Sequence, residues 1–168
     1  MGACFYHPRA HHVSLGIMAV DPDYFGCGVG TQLVRHIIDF TDNAGYAALR
    51  LAGSAMNMNS FSLYNRAGFV PRVTFQDMVL RVPERGMEQS AALDASVRDA
   101  SLGDVASITA LELEISGICR EGDYRFCIEN PVGCLHASVI EGSTGIVGFA
   151  ASIRHPALNM IGPAFSRT

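Results

Sequence analysis

The run from Leu15 to Thr31 constrains this chain more than any other. An apolar stretch, Leu15-Gly16-Ile17-Met18-Ala19-Val20, meets Asp21-Pro22 and then Phe25-Gly26-Cys27-Gly28-Val29-Gly30, before Thr31 opens a helical pattern. Proline has no N–H to give a ladder, so the strand ends at Pro22. Alternate glycines let the backbone aim its N–H groups at one point, and the helix start adds the positive end of its dipole. Together these suit a phosphate group. The plain alternative is a glycine-rich strand-to-helix turn without a ligand.

The spacing narrows the choice. A dinucleotide fingerprint needs G-x-G-x-x-G, but the third residue after Gly28 is Thr31. A Walker loop needs a lysine, and all twelve basic side chains here are arginine. The five cysteines, Cys4, Cys27, Cys119, Cys127 and Cys134, form no C-x-x-C pair and fit a reduced compartment. Half the residues (49%) are apolar and 17% are charged, which fits a soluble chain with a sizeable core. No apolar run approaches the ~18 residues of a membrane span, and the first twenty residues lack a signal-peptide pattern. A cytoplasmic protein is expected, with no membrane partner. Net charge is −4, and neither half carries the basic stripe that a nucleic-acid partner requires.

Along the chain, Ala3 to Pro8 and His12 to Val20 read as strands. Leu33, Val34, Ile37, Ile38 and Phe40 fall on a helical stripe that should stop near Asn43-Ala44-Gly45. Ala47 to Leu51 reads as a buried strand, Ser60 to Ala67 as a helix closed by Gly68, and Phe69 to Val82 as strand. From Pro83 to Leu93 the sequence turns polar and aperiodic, as linkers do. Ser96 to Asp99 then reads as a short strand, and Ser101-Leu102-Gly103-Asp104 as a capping box before a helix. Val105, Ile108, Leu111, Ile115 and Ile118 form that helix's apolar side. A second helix runs from Glu121 to Glu129 and breaks at Asn130-Pro131. Leu135 to Ile140 and Ile146 to Ile153 form a hairpin about Gly142-Ser143-Thr144-Gly145. Two dipeptides echo across the chain: His7-Pro8 as His155-Pro156, 148 residues on, and Leu15-Gly16 as Ile161-Gly162, 146 residues on.

Two motifs in this order carry a family resemblance. Phe25 to Gly30 resembles the acyl-CoA loop of the GCN5-related N-acetyltransferases (GNAT), Q/R-x-x-G-x-G/A, with Phe25 where Arg or Gln is usual. Asn57-Met58-Asn59-Ser60-Phe61-Ser62-Leu63-Tyr64-Asn65-Arg66-Ala67-Gly68-Phe69 resembles the family's N-x-x-A-x-x-L-Y-x-x-x-G-F, with Ser60 in place of alanine. The resemblance implies a mixed α/β GNAT fold, assembled here from two half-domains of a tandem type. Residues 1–82 would be the back part of one domain, 83–95 a linker, and 96–168 the front part of a second.

The resemblance also implies a reaction and a site. The reaction is acetyl transfer from acetyl-CoA to an amine of a small molecule or peptide, by direct attack. Met18, Ala19 and Val20 would meet the pantetheine arm along a splayed strand, and Phe25, Gly26, Cys27, Gly28, Val29, Gly30 and Thr31 the pyrophosphate. Asn57 and Ser60 would complete the binding site, and Tyr64 would donate the proton to the departing thiolate. Read without the motif, Asn57 is equally a helix cap and Tyr64 a core residue with its hydroxyl tied off. No base is specified: His12 and Ser14 share a strand face and Asp77 lies further on, none at a diagnostic spacing. His11 and His12 point to opposite faces, against a metal site. Cys27 sits at a helix start where thiolates are stabilised, but without a histidine partner. A non-catalytic acyl-CoA-binding module is the alternative function, and a dinucleotide-binding protein a third.

The order of the halves carries one further expectation. Left alone, His12 to Val20 would be an exposed apolar edge, which proteins avoid. Ile146 to Ile153 is its natural antiparallel partner. A single composite sheet is therefore expected, in a monomer or a homodimer formed by strand exchange.

Overall fold

The computed structural model describes residues 1–75, 78–87 and 96–167, and divides into two compact units, Met1–Leu80 and Arg81–Thr168. In the first, β1 (Gly2–Pro8) pairs antiparallel with β2 (Val13–Val20), and β2 pairs parallel with β3 (Leu49–Leu51). A single 3-10 turn at Pro22–Tyr24 follows β2, with the Asp21 carboxylate accepting from Asp23 N at 3.1 Å. Helix α1 (Val29–Asn43) then crosses to β3, burying Val34, Ile37 and Thr41. Its end is set by Ala44 and by Gly45, whose φ of 73° suits only glycine well. Helix α2 (Met58–Arg66) closes the unit. Val13, Leu15 and Ile37 form the core, flanked by Cys4, Tyr6, Phe40, Leu49, Leu51 and Tyr64.

Three expectations fail in this unit. The Ala47 to Leu51 stretch gives only three strand residues, paired on one side, with Arg50 exposed. Phe69 to Val82 holds no strand among its described residues, and Val70, Val73, Phe75, Met78, Val79 and Leu80 are all exposed. Strand preference is expressed only against a partner, and no ladder forms among the described residues of this segment. Nor is β2 an apolar edge: it is the central strand, flanked by β1 and β3.

The second unit is an antiparallel sheet in the order β4 (Val97–Asp99), β5 (Leu135–Gly142), β6 (Gly145–His155), β7 (Leu158–Ser166). Helices α3 (Val105–Ser116) and α4 (Glu121–Glu129) cover one face, where Ile108 and Tyr124 meet Ala137, Val139, Phe149 and Ala151. The expected hairpin turns at Ser143-Thr144. Helix α3 stops sooner than its apolar run suggests, because Gly117 takes φ 63° and leaves Ile118 outside. Ile115 is 43% exposed, whereas Glu112, three residues earlier, is buried.

Since β5 and β7 already occupy both sides of β6, the composite sheet is overturned. Ile146 to Ile153 has no free edge to offer β2, within one chain or between two. β7 lies beyond the expected hairpin and carries Gly162-Pro163, a pair that disfavours a regular ladder. It survives through a bulge, where the missing N–H breaks no regular ladder bond.

The capping box forms as expected: Asp104 accepts from Ser101 N at 2.7 Å and Ser101 Oγ at 2.8 Å, and from the Arg98 guanidinium through both oxygens at 2.8 Å. Foremost the Arg98 bonds, then those from Ser101, hold the carboxyl well below the usual range against the opposing effect of its burial. A depressed carboxylate stabilises fully above the unfolded Asp value of about 3.9 and loses that contribution as pH falls through its folded value. Asp104→Asn should therefore lower the urea midpoint more at pH 7 than at about pH 2. A gap between the two proteins that does not narrow in acid would refute this role.

Candidate functional site

The ladder between β1 and β2 fixes which backbone groups are free. Asp21 N donates to Met1 O at 2.7 Å, so Ala3 and Ala19 form the next bonded pair and Cys4 with Met18 a non-bonded one. The N–H and C=O of Met18 and Val20 therefore point away from β1. On that side β3 pairs only with Val13, Ser14 and Leu15, its register ending at Leu15 opposite Leu51. Past that point β2 presents an unpaired edge among the described residues. Free amides on an inner strand are costly unless something binds them. A bulge opposite Phe5, where β2 spends both Gly16 and Ile17, separates the paired part from this open edge.

The open edge leads into the glycine loop. Gly26 and Gly28 take φ of 79° and 81°, with open space where a Cβ would stand. Their role is thus conformational. Gly30 differs: a Cβ there would meet Leu63 Cδ2 at 3.2 Å, so this glycine lets α2 approach α1 closely. The helix begins at Val29, two residues before the expected Thr31, with Gly28 as N-cap. Gln32 N makes the first intrahelical bond, to Gly28 O at 3.0 Å. The preceding N–H groups of Val29, Gly30 and Thr31 are the free donors of a helix start, which suit an anion. Phe25 and Cys27 are exposed spacers, the Cys27 thiol lying 3.9 Å from Phe25 O.

The second motif supplies two side chains. Asn57 Oδ1 accepts from Ser60 N at 3.1 Å, so Asn57 caps α2 and Ser60 is the residue capped. This leaves the Asn57 amide N–H groups for another partner. The half-buried Tyr64 ring packs against the Val13–Leu15 core, edge-on to Phe69 at 5.7 Å and with Cε2 3.8 Å from where a Gly53 Cβ would stand. Gly53 lies two residues beyond the end of β3, where the open edge of β2 begins to lack a neighbour. Burial pushes the Tyr64 phenol up.

Of the suggested bases, His12 is buried, and its Nε2 lies 3.2 Å from Ser14 Oγ, as their shared face predicts. Both sit on the far side of the bulge from Met18. Asp77 lies outside the described residues. No group of His, Cys, Asp or Glu among the described residues could hold a metal ion, and no helix among them is long and apolar enough to cross a membrane.

Residues 1–69 match the model of the acetyltransferase (GNAT) family. Over 52 residues the chain is 42% identical to the [ribosomal protein bS18]-alanine N-acetyltransferase of Escherichia coli K12, and equally to that of Shigella flexneri. That stretch is 31% of this chain and 35% of each relative, so the chain spans about a third of the curated relatives it matches. A crystal structure of a GCN5-related N-acetyltransferase from Kribbella flavida superposes with a TM-score of 0.53 at 17% identity, covering 98% of this chain and 41% of the other. The chain thus has the GNAT fold, and its first 69 residues match the acetyltransferase (GNAT) family.

Proposed function

We propose that the first unit binds acetyl-CoA and serves an N-acetyltransferase that acts on an amine of a small molecule or peptide. The observation that carries this reading is the unpaired edge of β2 at Met18 and Val20, running directly into the donors of Val29, Gly30 and Thr31. Extended amide-bearing and phosphate-bearing parts of one ligand would find partners in that order. Asn57 would hold the arm from the other side through its free amide. The ligand's thioester supplies an activated acetyl group.

The roles of the chain's own groups follow from that placement. A neutral amine attacks the carbonyl carbon, and a free β2 backbone N–H, that of Met18 or Val20, stabilises the developing oxyanion. The C–S bond breaks as the C–N bond forms, and Tyr64 gives its proton to the thiolate. A phenol held protonated by burial suits that role. The excess proton on nitrogen leaves through water. We read the residues 1–82 as the back part of one acetyltransferase domain and 96–168 as the front part of another, in the cytoplasm.

The experiment is acetyl-CoA consumption, followed by thiol release, with a panel of amines that includes a peptide beginning with alanine. Turnover with any amine supports the enzyme. The second reading, an acyl-CoA-binding module without catalysis, is favoured by Phe25 in the loop and by the lack of a strand among the described residues of 69–82. CoA binding with no turnover across the panel would establish it.

Gly28→Val tests the loop. A β-branched residue at φ 81° is strained by about 1–3 kcal/mol, and relief must swing the Val29 N–H away. CoA affinity should fall roughly tenfold or more. Unchanged affinity in a folded variant would remove the loop from the binding site.

A further inference from the structure

The turn that carries the chain from β2 into α1 sorts its own N–H groups. Tyr24 N donates to Asp21 O at 2.9 Å, Phe25 N to Pro22 O at 3.1 Å and Cys27 N to Tyr24 O at 3.3 Å, while Asp23 N is taken by the Asp21 carboxylate. The N–H groups of Gly26 and Gly28, at φ 79° and 81°, make no backbone hydrogen bond among the described residues. With those of Val29, Gly30 and Thr31 they are the donors that this loop holds out. Phe25 and Cys27 have spent theirs, so what Phe25 adds to the binding of an anionic ligand comes from its side chain.

That side chain is no ionic partner. Within residues 21–34 the charged side chains are Asp21 and Asp23, both acidic, so side-chain charge in this segment opposes a phosphate. Phe25 brings a ring instead, 63% exposed, next to Tyr24 at 44%. Neither ring belongs to the core of the unit. The backbone beneath is fixed, because Pro22 sets its own φ and the successive turns hold Phe25 extended at φ −64° and ψ 138°. An aromatic side chain with two χ angles, standing in water on a rigid turn, loses little freedom when it gains a partner. Of the parts of CoA, only the adenine base is aromatic.

We infer that Phe25 stacks on the adenine base of CoA and thereby makes this loop favour CoA over bare phosphopantetheine. The inference rests on the reading of the loop as the cradle of CoA's pyrophosphate. Phe25→Ala and Phe25→Leu should each weaken CoA binding by about tenfold in titration calorimetry, the usual worth of one base on an aromatic ring. Phosphopantetheine, which lacks the base, should bind the native and Phe25→Leu chains alike. Phe25→Trp should keep the native CoA affinity. The chain has no tryptophan of its own, so that variant carries a single indole. CoA and ADP should quench its emission, whereas pantetheine and inorganic pyrophosphate should not. Because Phe25 is exposed on a turn, all three variants should keep the native urea midpoint. Native CoA affinity in Phe25→Leu, an equal weakening of phosphopantetheine, or quenching by pantetheine and not by ADP overturns the stacking while leaving the cradle in place. A native chain that binds no CoA removes both readings.

Discussion

Tyr64→Phe should lower turnover by roughly 100-fold or more and leave CoA affinity nearly unchanged, because general acid assistance is worth about that much and the role proposed for the lost group is at the leaving thiolate. The ring stays, so its packing against Phe69 and the Val13–Leu15 core stays with it. Burial raises the phenol, so the proposed acetyl transfer should show no loss from Tyr64 ionisation until the pH exceeds the ordinary tyrosine value of about 10. Steady-state turnover with the best amine of the panel, beside CoA titration of both proteins, separates the effects. Full turnover in the variant would move the acid elsewhere.

Arg120→Ala destabilises the second unit by about 3 kcal/mol, near the lower end of the cost of stranding a buried charge. Glu112 is 2% exposed on α3 and accepts from the Arg120 guanidinium and the Tyr124 hydroxyl, both from the start of α4. Arg120 also lies 5.9 Å from the centre of the Tyr124 ring. Removing the arginine leaves the buried carboxylate with the Tyr124 hydroxyl but without its countercharge. The arginine is 25% exposed, so water softens the loss. Adding Glu112→Leu to Arg120→Ala should restore stability relative to Arg120→Ala alone, since it removes the stranded charge. Urea unfolding of the three proteins measures this. A double variant no more stable than Arg120→Ala would mean that packing, not charge, holds these helices.

The sequence by itself determined the elements whose signals are local. The strand–loop–helix at Leu15 to Asn43 follows from a proline that stops a ladder and from glycines at positive φ. The capping box at Ser101–Asp104, the helix Glu121–Glu129 and the turn at Ser143-Thr144 are likewise written in residues a few positions apart. The two acetyltransferase motifs were legible for the same reason, and the structure brings them together where Leu63 meets Gly30. Tertiary structure alone decided what depends on distant partners. Phe69 to Val82 has strand composition but forms no ladder among its described residues, whereas β7, with Gly162-Pro163 inside it, forms one because β6 accommodates its bulge. Glu112 reads as one more solvated glutamate until Arg120 and Tyr124 arrive from the next helix. Pairing fixed the rest: β2 takes β1 on one side and β3 along its first three residues on the other, while β5 and β7 fill both sides of β6, so the two halves form separate sheets, and a periodic pattern names a strand without naming its neighbour.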